Sequence, residues 1–126
     1  MWSDRYYYLN IYKDKSLNTH CSTERLIYFL NDFPELQQKE MYRFGNADGL
    51  PFVDMWLLFT PTLSSWSNYS TDPIKTNLIS IVCAKGVYGR WELLQPIFVK
   101  IASYLHWSLV DEETDGGQED FILWKP

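Results

Sequence analysis

The chain has 126 residues, 46% hydrophobic and 17% aromatic, with a formal net charge of −5. That length holds one ordinary domain, residues 1–126, whose core needs no disulfide or metal. Two cysteines are too few for a disulfide framework or zinc ribbon, and the acidic balance is the reverse of what phosphate neutralisation demands, which excludes nucleic acid as a partner.

In chain order, residues 5–12 read as a strand. Tyr7, Leu9 and Ile11 alternate with Tyr6, Tyr8, Asn10 and Tyr12, so one face is apolar and the other amphipathic. Ser22 is a suitable N-cap for a helix over 23–31 or 23–32, with Leu26, Ile27, Leu30 and Phe33 as its stripe and Pro34 as its stop. Residues 35–40 are polar, with room for one extra turn. Residues 41–44 form a short strand closed by the turn-prone Gly45-Asn46-Ala47-Asp48-Gly49.

The next strand, 52–60, is apolar on both faces: Val53, Met55, Leu57 and Phe59 against Phe52, Asp54, Trp56 and Leu58. It is either covered on both sides or meets a partner with its second face. Residues 61–75 read as a loop in which Trp66 and Tyr69 stand out, and residues 77–84 as another strand. The dominant element is the helix over 91–105, whose Trp91, Leu94, Phe98, Ile101 and Leu105 recur at spacings of three and four, widened by Ile97 and Ala102. Pro96 within it requires either a start near Glu92 or a kink. A strand at 107–111, a turn containing Gly116-Gly117 and a strand at 121–124 complete a hairpin.

The order β-α-β-β-β-α-β-β predicts an α+β two-layer fold, with two main helices on a mostly antiparallel sheet of five or six strands. A ferredoxin-like arrangement with an added hairpin is one specific form of it.

Catalytic signatures are missing. His20 beside Cys21 is not a recognised metal spacing, Cys83 lies in an apolar strand where a thiol is inert, and Gly45 to Gly49 lacks the Lys and Ser/Thr of a phosphate loop. Pairing Asp54 with Asp48 or Glu112 is no better than chance among so many carboxylates. No cofactor, metal or enzymatic activity is therefore expected. With neither a secretion signal nor a run of about 18 apolar residues, the expected location is the cytoplasm, away from any membrane.

Charge is more informative. Residues 108–120 hold Asp111, Glu112, Glu113, Asp115, Glu119 and Asp120 without a Lys or Arg, while the rest of the chain sets eleven basic residues against ten acidic ones. A run of this kind is either a solvated loop or a partner-binding surface.

The segment Ile101-Ala102-Ser103-Tyr104-Leu105-His106-Trp107-Ser108-Leu109-Val110-Asp111-Glu112-Glu113-Thr114 resembles the closing segment of many small bacterial immunity proteins. These are the cytosolic antidotes of contact-dependent, type VI and other polymorphic toxin systems. The likeness covers about 20 residues, and its elements are an amphipathic helix, a Leu-x-Trp junction, a short strand and an acidic turn. It implies an antidote that occludes a cognate toxin domain. If that toxin is a nuclease with a basic cleft, Glu112, Glu113, Asp115, Glu119 and Asp120 supply the complementary charge, and Trp56, Trp66 and Tyr69 the aromatic anchors. The competing expectation is a small enzyme or ligand-binding domain with a pocket around Trp56, Trp66 and Tyr69.

Overall fold

The computed structural model describes residues 2–63 and 70–126. Strand β1 (Tyr6–Tyr12) lies inside the sheet, and its period of two sends Leu9 and Ile11 into the core. After β1 comes the two-residue β2 (Cys21–Ser22) and then helix α1 (Thr23–Leu30), capped by the Ser22 hydroxyl, which accepts from the Arg25 amide at 3.3 Å. Strands β3 (Leu36–Glu40), β4 (Arg43–Asn46) and β5 (Val53–Leu58) form an antiparallel meander. The two-residue β6 (Lys75–Thr76) pairs with β2, and β7 (Leu78–Ala84) leads to helix α2 (Trp91–Leu105). Strands β8 (Ser108–Glu113) and β9 (Glu119–Trp124) close the chain as a hairpin.

The main sheet has seven strands in the order β3-β4-β5-β7-β1-β8-β9, and every pairing is antiparallel. This is an α+β fold of the kind expected, with one departure. The strands exceed five or six, because residues 36–40 pair with β4 where an extra turn was the expectation. The strands β8-β1-β7-β5, each antiparallel to its neighbour, with α1 after β1 and α2 between β7 and β8, stand in the order of a ferredoxin-like arrangement, to which β3, β4 and β9 are added.

Both helices cover one face of the sheet. The buried side of α2 is Leu94, Ile97, Phe98, Ile101 and Ala102, the stripe its periodicity foretold, packed with Leu26 and Leu30 of α1 over Leu9, Ile11, Met55, Ile79, Ile81 and Leu109. The helix starts at Trp91, so Pro96 falls in its second turn and removes the N–H that would bond the Glu92 carbonyl. At its other end His106 takes a left-handed conformation (φ 57°), letting the Trp107 amide reach the Ala102 carbonyl at 2.9 Å. That reversal feeds the buried Trp107 and then β8 back into the sheet.

Among the described residues, the opposite face carries a small second cluster at one end, Tyr12, Leu17, Leu58, Leu78 and Val110. The rest of that face holds Tyr6, Tyr8, Phe52, Val82, Ala84, Glu112 and Ile122, partly or largely exposed.

Candidate protein-docking surface

A run of carboxylates inside a strand cannot form one patch, because successive side chains leave opposite faces of the sheet. The β8–β9 hairpin shows this. Leu109 is in the helix-covered core and Val110 in the cluster on the other face. Asp111 and Glu113 therefore share the helix side with Leu109, while Glu112 shares the open side with Val110. The register puts Glu113 opposite Glu119 and, two residues from the Val110–Ile122 pair, brings Glu112 level with Asp120.

Two of the five predicted contact carboxylates are held by the protein's own lysines. Asp115 accepts from Lys85 Nζ at 2.6 Å and from Trp2 Nε1 at 2.9 Å, and these bonds hold its carboxyl below the usual carboxylate range. The same ammonium lies 5.1 Å from the Trp2 ring centroid and 5.0 Å from that of Tyr7. Asp115 thus tethers the segment around Trp2 to the hairpin. Asp120, in a left-handed conformation (φ 51°), meets Lys15 at 3.1 Å.

Glu112 is half-buried, and its carboxyl is pushed up chiefly by burial, with Asp120 and Asp111 adding to the shift. Glu113 is half-buried and Glu119 exposed. Asp111, buried at 5% exposure, accepts from the Glu113 amide at 3.2 Å, and burial raises its carboxyl too. The predicted uniform acidic patch is therefore corrected: Glu112 and Asp120 belong to the open sheet face, Glu113 and Glu119 to the other side, and Asp115 to an internal tether.

The predicted aromatic anchors divide as well. Trp56 is half-buried on the open side, against the second cluster and 5.6 Å from the Arg43 guanidinium, which donates to Asp54 at 2.6 Å. Trp66 and Tyr69 lie outside the described residues. Aromatic and aliphatic residues beyond the expected anchors line the same face: Tyr6 (37% exposed) packs edge-on against Phe52 (45%) at 5.8 Å, and Ile122 is 50% exposed. The signal for them lies in the amphipathic second face of β1 and in the doubly apolar β5.

Among the described residues, no group of three or more His, Cys, Asp or Glu could hold a metal ion. No helix of the described chain is long and apolar enough to cross a membrane. Both cysteines are unbonded, and burial pushes the Cys21 thiol up to about 11 and the Cys83 thiol to about 12. Neither forms appreciable thiolate near neutrality, so the folded protein is expected to leave Ellman's reagent uncoloured at mildly alkaline pH and to release both thiols once denatured. Rapid reaction of either thiol in the native state would contradict this burial.

No family model, curated protein or solved structure matches this chain.

Proposed function

We propose that the protein works by binding another protein, as the cytosolic antidote of a bacterial toxin domain, and that the open face of its sheet is the docking surface. The observation that carries this reading is a row of exposed aromatic and aliphatic side chains on a sheet face that neither helix covers. Glu112 and the Lys15-paired Asp120 stand level on neighbouring strands at one edge of that face. They share the face with exposed Tyr6, Phe52 and Ile122. A partner protein would cover the aromatic rings, which anchor the centre of tight interfaces, and leave the carboxylates at a polar rim where they steer a basic partner. The resemblance of residues 101–114 to immunity proteins supports the same assignment.

The test is co-expression with the product of the adjoining gene. The two proteins should co-purify, with association slowing as salt is raised. Phe52→Ala and Ile122→Arg should each weaken the complex about tenfold or more, roughly 1.4 kcal/mol, while leaving the far-ultraviolet circular dichroism unchanged. Full affinity in both variants would remove the open face from the account.

A further inference from the structure

The helix layer, on the other side of the molecule, carries a feature that docking on the open face does not use. Phe29 of α1 stacks on Tyr104 of α2 with ring centroids 3.9 Å apart and planes 8° from parallel, and Phe33 meets Phe29 edge-on at 5.3 Å. On one side of this ridge runs a groove of about 850 Å³ floored by Phe29, Phe33, Pro34 and Pro96, and on the other a smaller one of about 520 Å³ reaching Tyr28. Tyr28 is 78% exposed and Tyr104 46%. The walls are thus open, and the site cannot enclose most of a small molecule's surface as metabolite pockets do.

Charge identifies the occupant. Glu24, Asp32, Glu35 and Glu92 rim the two grooves against Arg25 and Lys100. None of these four carboxylates takes part in an ion pair among the described residues. Pro96 also leaves the Glu92 carbonyl without its helical donor, adding an acceptor beside the larger groove. Aromatic faces next to carboxylates attract guanidinium and ammonium groups on apolar stems.

We propose that this double groove is a second binding site, which takes a segment of a partner protein in which Arg or Lys alternates with apolar residues. A second copy of the chain is a poor occupant, because a net charge of −5 makes each molecule repel another at an acidic surface. The proposal does not depend on the partner being a toxin, since the groove lies behind the helices and the open face behind the sheet.

The test selects peptides from a random library displayed on phage against the immobilised full-length protein. Enrichment of Arg- or Lys-bearing peptides with interspersed Leu, Trp, Tyr or Pro is the expected result. A peptide so selected should bind about tenfold more weakly to Tyr104→Ala and to Asp32→Lys, and unchanged to Ile122→Arg. Tyr28→Ala, at a position that packs little, repeats the measurement without risk to folding. The proposal is overturned if no sequence is enriched, if the enriched peptides are acidic or purely apolar, or if their binding survives the groove substitutions. It is equally overturned if Ile122→Arg abolishes that binding, or if sedimentation shows copies of this chain pairing through the groove.

Discussion

Replacing Phe98 by alanine is expected to cost about 3–5 kcal/mol of folding stability. The ring is fully buried, on the turn of α2 that faces the sheet, with Trp91 at 6.2 Å centroid separation and Leu94, Ile97, Ile101 and Ala102 around it. Cavities of this kind collapse poorly when the surrounding residues are held by both a helix and a seven-stranded sheet, so the loss includes vacated contacts as well as transfer free energy. A domain of this size is stable by about 5–15 kcal/mol, so the melting temperature should fall by on the order of 10 °C or more. Tyr28→Ala is the matched control. It removes an aromatic ring of similar size from a position that is 78% exposed, where the change should stay within about 0.5 kcal/mol. Equal losses at the two positions would mean that α2 is not the element that organises the core.

The elements with a strong apolar period are legible in the amino-acid sequence itself. The stripe of α2, the alternation of β1 and β5, the Ser22 cap and the closing hairpin all follow from side-chain spacing, because burial of one face dictates where apolar residues go. Strand β3 is not legible in this way, since Leu36-Gln37-Gln38-Lys39-Glu40 contains a single buried residue. It joins the sheet through backbone bonds to β4, and its polar side chains suit an edge that must not recruit other strands. The pairing of β2 with β6 is likewise invisible, because two residues carry no period; it depends on contacts such as the 2.7 Å bond between the Thr23 and Thr76 hydroxyls.

The surfaces are harder to read than the core. The acidic run is visible as composition, but its division between two faces follows from the strand period, and the capture of Asp115 by Lys85 joins residues that no local pattern connects. The helix-side groove is less legible still. Tyr28 and Tyr104 each look like an ordinary solvent-facing residue on its own helix, and only the packing of α1 beside α2 stacks Phe29 on Tyr104.

Asn77→Ala is the second substitution from which a large effect is expected, about 3 kcal/mol, and it acts through polar groups instead of apolar volume. Asn77 is 3% exposed, and its amide joins two segments that flank the open face. Its Oδ1 accepts from the Thr60 amide at 3.0 Å, and its Nδ2 donates to the carbonyls of Thr60 at 2.8 Å and Leu17 at 3.0 Å. Alanine would leave one N–H and two C=O groups buried without partners, each costing about 1–3 kcal/mol less whatever water can restore. Leu17 is the weak point, because a leucine at φ 56° is strained and the bond from Asn77 helps to hold it there. Asn77→Asp separates hydrogen bonding from shape. The ionised carboxylate keeps the acceptor but faces two carbonyls with no donor, so at neutral pH this variant should be at least as unstable as Asn77→Ala. Burial and those carbonyls would raise the folded-state pKa of the new carboxyl, so the variant should be most stable below the unfolded-state pKa and lose stability as pH rises through the folded one. Denaturant titrations of the two variants across that range check the assignment, and an Asn77→Asp stability that ran parallel to wild type at every pH would show that the donors to Leu17 and Thr60 are not what fixes these segments.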